Sequence, residues 1–239
     1  KAHERPRKGN LGDGAADVHG VAAQDLEERA PRLEHERGCR IGLFARSRDY
    51  LTELETDIKK RGRSALAVPV DLTDARQIAE GFERVRTAFG PIDILIYHAG
   101  SSAWQGLLAL TPQQFEHSWR VGPYGAFLCA REVVPDMLRK RSGAILFTGA
   151  TSSVRGRGGA LDFSSAKFAV RGLAESLARE LWPKGIHVAH VIIDGIIVPP
   201  AIRSQSSVGH DGPLVDPDAV AAAVQGELHL LDLAGPAHA

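Results

Sequence analysis

Short apolar runs alternate with amphipathic stretches from residue 41 onward, and this alternation restricts the fold more than any other feature of the chain. The runs predicted to be strands are residues 41–45, 65–70, 92–97, 144–147 and 187–193. They lack strict alternation of apolar and polar side chains, which is typical of strands buried on both faces. Helical stretches such as 75–89 and 115–139 supply the crossovers of a parallel sheet. The pattern therefore predicts a doubly wound α/β fold, a three-layer sandwich around one parallel sheet.

Length and composition narrow the class of protein. A chain of 239 residues with 44% hydrophobic content is expected to form one domain over residues 1–239. Lysine plus arginine equals aspartate plus glutamate at 29 each, so no overall charge recruits nucleic acid or an anionic membrane. No apolar run reaches the length of a membrane span, and only Cys39 and Cys129 are present, without metal-site spacing. We expect a cytoplasmic protein without a metal site.

One stretch, residues 143–181, has the order in which layered α/β proteins place chemistry. An apolar run leads into a loop of small and polar residues, and a helix follows from about Phe163. Lys167 is expected near the start of that helix, facing the loop. The apolar residues of its buried face recur every four or five positions: Phe168, Leu173, Leu177 and Leu181.

Five motifs, taken in order, resemble the short-chain dehydrogenase/reductase family. They are ARSR at 45–48, VDLTD at 70–74, YHAG at 97–100, FSSAK at 163–167 and PKGIHVAHVIIDGII at 183–197. The resemblance extends from about residue 38 to residue 198 and implies a single-domain Rossmann-like fold with a dinucleotide cofactor.

The resemblance also implies where the cofactor binds. After the second strand of the family, an acidic residue selects NAD and an arginine accommodates the 2′-phosphate of NADP. This chain has Arg46 and Ser47 there and no acid, which favours NADP over NAD. The alternative is that Arg46 and Arg48 are solvated loop charges. The other matching positions are Asp71 and Leu72 at the adenine, Ala99 and Gly100 at the adenosine ribose, Lys167 at the second ribose, and Gly195 and Ile197 at the carboxamide.

Both ends of the chain depart from the family. The best match to the glycine motif is Gly14 to Gly20, where Val18 stands in the place of the middle glycine. Residues 1–37 are therefore an atypical first strand and turn, or a surface segment with incidental glycines. Residues 200–239 are interpreted as an atypical segment that covers the cleft and a tail, with a short strand at 228–233.

Three of the four catalytic positions of the family do not match. A tyrosine is the family's acid/base, and a neighbouring lysine lowers its pKa. Lys167 matches that lysine, but Phe163 stands in the place of the tyrosine and Gly122 in the place of the asparagine. The serine position falls on Ala150, and the hydroxyls of Thr151, Ser152 and Ser153 follow immediately.

The resemblance implies an NADP(H)-dependent oxidoreductase that moves hydride between the nicotinamide and a small carbonyl or alcohol substrate. Its acid/base is altered, with Ser153, Ser164 or water relaying the proton. The alternative is a catalytically silent member that serves as a binding or oligomerisation scaffold. A homodimer or homotetramer through the helical stretches 115–139 and 163–181 is expected by resemblance. Arg155 and Arg157, in the loop beside the cleft, either attract an anionic substrate or are simply solvated.

Overall fold

The strand Gly143–Ala150 lies in the middle of a parallel three-stranded ladder. In this computed structural model, which describes residues 40–197 and 214–215, the strand pairs with Ile94–Tyr97 on one side and Ile186–Ile193 on the other. The register runs from Gly143 opposite Ile186 to Ala150 opposite Ile193. Parallel strands covered by helices are expected to be apolar throughout, and residues 144–147 are completely buried.

Helices and strands alternate along the described chain. In order they are β1 (Arg40–Ala45), α1 (Arg48–Lys60), β2 (Ser64–Pro69), α2 (Ala75–Phe89), β3 (Ile94–Tyr97), α3 (Pro112–Trp119), α4 (Gly125–Lys140), β4 (Gly143–Ala150), α5 (Leu161–Leu181), β5 (Ile186–Ile193), β6 (Ile196–Ile197) and β7 (Leu214–Val215). Strand β1 pairs with β2 and β6 with β7, and both pairs are parallel. The predicted α/β fold with parallel strands and intervening helices is confirmed.

The main core lies where helices cover one face of the strands. Ile145 and Phe147 of β4 pack there with Val133 of α4 and Val170 of α5. The alternate residues Ala144 and Leu146 belong to a separate cluster with Ala189 and Val191 of β5, as the two-residue period of a strand requires. The buried residues of α1, Leu51 and Ile58, also lie outside the main cluster.

Local sequence signals explain where several helices begin. Asp74 precedes α2, and its carboxylate accepts hydrogen bonds from the backbone N–H groups of Arg76 at 2.9 Å and Gln77 at 3.1 Å. Thr111 and Gln114 form a reciprocal capping box at the start of α3, with Pro112 at the first helical position. These caps satisfy backbone donors that the first turn of a helix leaves without partners.

Several boundaries differ from the predicted ones. Strand β4 continues from the predicted end at Phe147 to Ala150, whereas β3 begins at Ile94 rather than at residue 92. Helix α5 begins at Leu161, two residues before Phe163, and Phe168, which is predicted to lie on its buried face, is 43% exposed. The predicted single helix 115–139 was wrong in its continuity, because a π-helical segment, Arg120–Tyr124, separates α3 from α4. That segment contains Pro123, which lacks the N–H for a regular helical bond. The predictions for residues 1–37, and for a strand at 228–233, lie outside the described residues.

One ion pair joins α2 to α4 beneath the surface. The guanidinium Nε of Arg86 lies 3.1 Å from Oδ2 of Asp136, whose side chain is only 3% exposed. The backbone N–H of Ile92 donates to the same oxygen at 3.3 Å. Burial alone would raise the pKa of the Asp136 carboxyl, but the hydrogen bonds from Arg86 and Ile92 hold it below its ordinary value. The carboxylate therefore joins α2, α4 and the loop before β3 to one another.

We predict that Asp136→Ala lowers the free energy of unfolding by about 3 kcal/mol at pH 7, because it leaves a partly buried guanidinium without its main partner. Urea denaturation measures this loss. The pKa of Asp136 is lower in the folded state, so its stabilisation is present at neutral pH and is lost as the pH falls through that folded pKa. The difference between the wild type and the variant should therefore shrink in acid.

Glu83→Ala is the matched control, because Glu83 pairs with the same arginine at 3.4 Å but is 71% exposed. Its loss should be smaller than about 1 kcal/mol. Equal losses for the two variants would contradict a structural role for the buried pair.

Candidate active site

A buried lysine joins the C-terminal end of β4 to the start of α5. Lys167 lies in the second turn of α5, and its Nζ donates a hydrogen bond to the backbone carbonyl of Thr148 at 2.9 Å. The residue is only 7% exposed, and burial lowers the pKa of its ammonium to about 8. A buried amine whose charge is held by a neutral carbonyl is unusual, because burial disfavours the charged form. Such groups concentrate at functional sites.

The ring of Phe163 lies beside that ammonium. Nζ of Lys167 is 5.6 Å from the ring centroid, within the range of a cation–π contact. Phe163 in turn contacts the indole of Trp104, with centroids 5.4 Å apart and planes tilted by 38°. Phe163 therefore has an ammonium and an indole as neighbours, and it has no proton to exchange.

The loop after β3 approaches the same point. A Cβ atom built on Gly100 would lie 3.4 Å from Cε of Lys167 and 3.5 Å from Cε2 of Phe163. A larger side chain at that position would extend into the space beside the ammonium. The structure thus brings together three residues that the sequence singled out: Gly100, Phe163 and Lys167.

The hydroxyls after β4 lie in a 3₁₀ turn, Thr151–Ser153. Ser153 is fully buried, and its Oγ accepts a hydrogen bond from the backbone N–H of Ala150 at 3.1 Å. The Thr151 hydroxyl donates to the carboxylate of Asp194, which follows β5. Ser152 is buried, and Oγ of Ser164 on α5 accepts the N–H of Arg157 at 3.2 Å. Ser153 and Ser164 accept in these bonds, so their own O–H protons are available to donate.

The imidazole of His190 lies behind this turn. A Cβ on Gly149 would stand 2.4 Å from Nε2 of His190 and 2.9 Å from Oγ of Ser153, so these two side chains flank the same glycine. Nε2 of His190 is buried and has no hydrogen-bond partner among residues 40–197. Burial lowers the pKa of this imidazole, and the charges of Lys167 and Arg171 lower it further while Glu175 opposes them. The ring is thereby kept neutral beside the buried ammonium.

Sequence reasoning missed Asp162, which is completely buried in the first turn of α5. Its carboxylate accepts hydrogen bonds from the N–H of Ala103 at 2.8 Å and from the hydroxyl of Ser118 at 2.7 Å. The hydroxyl of Ser102 is 3.3 Å from the other oxygen. An acid in the first turn of a helix is normally read as a favourable surface charge, and its partners lie 44 to 60 residues away in the chain. No local signal identifies it.

Gly122, which the resemblance predicts to occupy the family's asparagine position, lies on the π-helical segment. A Cβ on Gly122 would stand 3.1 Å from Cβ of Ala166, so a side chain there would press against α5. The preceding carbonyl, that of Val121, accepts the phenol proton of Tyr97 from β3.

The residues predicted to bind the adenosine end follow β1 and β2. Arg46 is exposed, and Oγ of Ser47 accepts the N–H of Tyr50 at 3.3 Å and so caps α1. The carboxylate of Asp71 accepts the N–H and the hydroxyl of Thr73, both at 2.8 Å. Leu72 and Ala99 are partly buried. Gly195 precedes β6, which contains Ile197, whereas Gly14 and Gly20 lie outside the described residues.

These residues fit a dinucleotide at its nicotinamide end. The Lys167 ammonium has three N–H groups, of which one reaches Thr148, and Gly100 leaves the approach beside it without a side chain. Among the described residues, no group of three or more histidine, cysteine or acidic side chains is placed to hold a metal ion. No described helix is long and apolar enough to cross a membrane.

Comparison with known proteins identifies the class. The short chain dehydrogenase family model matches residues 28–206, so the chain belongs to that family. The 3-oxoacyl-(acyl-carrier-protein) reductase FabG of Staphylococcus epidermidis is 29% identical over 164 residues, which are 68% of this chain and 67% of that protein.

Solved structures agree with the family. A short-chain dehydrogenase from Rhodopseudomonas palustris has 30% identity and a TM-score of 0.69, covering 89% of this chain and 87% of its own. A metagenomic short-chain oxidoreductase in complex with NADP shares the fold, with a TM-score of 0.68 at 22% identity over 85% of this chain and 83% of its own. Family and Rossmann-like fold are therefore confirmed.

We predict that Lys167→Met raises the free energy of unfolding by about 1 to 3 kcal/mol at pH 7, because methionine fills the site without burying a charge. The ammonium has a pKa of about 8 in the folded protein, against about 10.4 when unfolded. Between those values the folded state has lost a proton that the unfolded chain keeps, so wild-type stability should rise with pH. Urea denaturation at pH 7 and pH 9.5 should show this rise, and the variant should lack it.

Lys184→Met serves as the control, because Lys184 is exposed and pairs with Glu180 at 3.2 Å. It should change the free energy of unfolding by less than about 1 kcal/mol at either pH. A destabilised Lys167→Met at pH 7 would show that the ammonium does not carry a desolvation cost.

Proposed function

We propose that this chain binds NADP(H) and transfers hydride between the nicotinamide and a small carbonyl or alcohol substrate, with an altered acid/base. The observation that carries the proposal is the buried Lys167 ammonium between the end of β4 and the start of α5, beside Gly100. The relative named as a reductase and the fold neighbour that contains NADP support the same reading. A bound nicotinamide cofactor supplies or accepts the hydride.

The chain's own residues then have separate roles in binding. Lys167 offers its remaining N–H groups to ribose hydroxyls, and Gly100 allows a ligand to approach that ammonium closely. The exposed guanidinium of Arg46 follows β1, where it matches a 2′-phosphate and favours NADP over NAD. Asp71 and Leu72 stand at the adenine end, and Gly195 and Ile197 at the carboxamide end.

The proton must come from a group other than Phe163. Ser153 and Ser164 both accept a backbone N–H, which leaves each hydroxyl proton free to move toward a substrate oxygen or a water. Thr151 is less suited, because its proton is directed to the carboxylate of Asp194. Ser152 is buried in the same turn and remains a further candidate. General acid/base catalysis contributes roughly 10²- to 10⁴-fold to a rate, so turnover without the tyrosine is slowed rather than abolished.

The second candidate function is a catalytically silent scaffold, and the absence of a proton on Phe163 and of a side chain on Gly122 favours it. Large apolar side chains are exposed along α3, α4 and α5, the helices through which family members are expected to pair. Trp119 is 39% exposed, and Phe127 and Phe168 are each 43% exposed. Contact between two copies through these side chains would give a homodimer or homotetramer. Such an assembly is compatible with either function.

The deciding experiment is a titration of the chain with NADPH and, separately, with NADH, in which cofactor fluorescence measures binding. We expect NADPH to bind more tightly, and Arg46→Ala to remove most of that preference. A reductase screen on small aldehydes and ketones should show slow turnover in the wild type and a gain of about 10²-fold or more in Phe163→Tyr. No binding at millimolar NADPH would eliminate the oxidoreductase and leave the scaffold.

Phe168→Tyr is the matched control, because it adds the same hydroxyl to the same helix at an exposed position. It should give no gain. An equal gain in both tyrosine variants would contradict the assignment of the acid/base position to residue 163.

A further inference from the structure

We propose that Trp104 and Phe163 form a stacking wall for a planar aromatic group of the substrate, and that buried Asp162 is the positioning residue that holds Trp104 in this wall. The identification of the ligand as a substrate rests on the proposed oxidoreductase function. The wall itself rests on the geometry of the loop after β3 and of the first turn of α5.

The wall begins at the buried ammonium and continues outward. One edge of the Phe163 ring, Cε2, lies near Gly100, and the ring centroid is 5.6 Å from Nζ of Lys167. On the outer side the indole of Trp104 follows, 5.4 Å from Phe163 between centroids. Trp104 is 48% exposed, so a large part of its ring is open to a ligand. A group stacked on these rings would be next to the place where Lys167 acts.

Trp104 has a backbone conformation that requires support. Its φ angle is 51°, in the left-handed region that bulky residues rarely adopt. Its N–H donates to Oγ of Ser102 at 3.2 Å, and that hydroxyl is 3.3 Å from the carboxylate of Asp162. The N–H of Ala103 reaches the same carboxylate at 2.8 Å. Asp162 thus orders the two residues before Trp104, and strained conformations kept this way cluster at ligand sites.

The same carboxylate also fixes Phe163. Asp162 precedes Phe163 in the first turn of α5, and the hydroxyl of Ser118 from α3 donates to it at 2.7 Å. One completely buried anion therefore sets the loop that presents the indole and the helix that presents the phenyl ring. Burial of a carboxylate costs desolvation free energy, and the hydrogen bonds that it accepts must compensate that cost.

The chemistry of the wall favours a planar ring over an aliphatic chain. Aromatic pairs gain energy from offset or edge contacts in addition to the area that they bury. An aliphatic group of equal size would gain only the free energy of burying its apolar surface. An aryl ketone or aryl aldehyde has a ring for the wall and places its carbonyl within reach of the Lys167 end. We therefore assign the substrate to the aryl carbonyl class.

The test uses the indole N–H signals of the three tryptophans, Trp104, Trp119 and Trp182, in a ¹⁵N-labelled sample, assigned by single Trp→Phe variants. Acetophenone is titrated against cyclohexyl methyl ketone, its saturated counterpart. We expect acetophenone to shift the Trp104 signal and to bind about fivefold more tightly than the saturated ketone. Trp182, which is 65% exposed and lies beside His187, is the internal control and should not move. Equal affinities, equal shifts at both tryptophans, or no shift at Trp104 would overturn the proposal.

Asp162→Asn tests the positioning role. Asparagine keeps the shape of the side chain, but its amide N–H groups can face the groups that donate hydrogen bonds to the carboxylate. We expect the Trp104 signal to move in the free protein and acetophenone affinity to fall about fivefold. Asp93→Asn, at an exposed carboxylate that pairs with Lys140, should change neither. If Asp162→Asn does not fold, Ser118→Ala removes one donor and keeps the charge, and it should cause a smaller change of the same kind. Unchanged acetophenone affinity in a folded variant of either kind would overturn the role of Asp162.

NADPH titration of the same samples separates the two proposals. A wild type that binds NADPH but shows no Trp104 shift would refute the aromatic wall alone. A Trp104 shift in a chain that does not bind NADPH would support the wall while refuting the oxidoreductase function.

Discussion

The hydrogen bond between the Lys167 ammonium and the Thr148 carbonyl is the contact on which the candidate site depends. It fixes helix α5 against the end of the central strand, at a point where the lysine is almost completely buried. Phe163 lies one turn earlier on the same helix, so the position of its ring follows from that attachment. The loop after β3 can approach only because Gly100 has no side chain there. The buried ammonium and the residues around it therefore lie at the C-terminal end of the central strand β4.

Small residues allow the elements around this site to approach one another closely. A Cβ on Gly149 would collide with the ring of His190, and a Cβ on Gly122 would crowd Ala166. Both glycines let a neighbouring element come closer to β4 or α5 than any other residue allows. In the proposed assignment, Gly122 stands where the family has an asparagine, so the close packing against Ala166 leaves no room there for that side chain.

The sequence predicted the layers of the fold because hydrophobic period is a local property. The pattern predicts α2 at its observed bounds and strands β1 to β5 within about three residues, whereas it does not predict β6 and β7. Thr148, Gly149 and Ala150 are small and are predicted to lie in a loop, yet they pair with residues 191–193 of β5. Lys167, Phe163 and Gly100 were found through motifs. Asp162 and Trp104 were not, because burial of an acid and stacking between distant rings are tertiary facts that no window of sequence contains.

In the proposed assignment, Phe163 stands where the family has its acid/base tyrosine. A tyrosine in that position would be an ionisable partner of the ammonium, and the ammonium would stabilise its phenolate form. With a phenyl ring, the contacts of the charge among the described residues are that ring and the Thr148 carbonyl, and burial lowers the pKa of Lys167 to about 8. At neutral pH the amine is still mainly protonated, so the site keeps a cation able to bind hydroxyls. The same ring extends the apolar surface that Trp104 continues. In the proposed assignment of residue 163 to the acid/base position, phenylalanine supplies no proton donor and adds an aromatic face beside the ammonium.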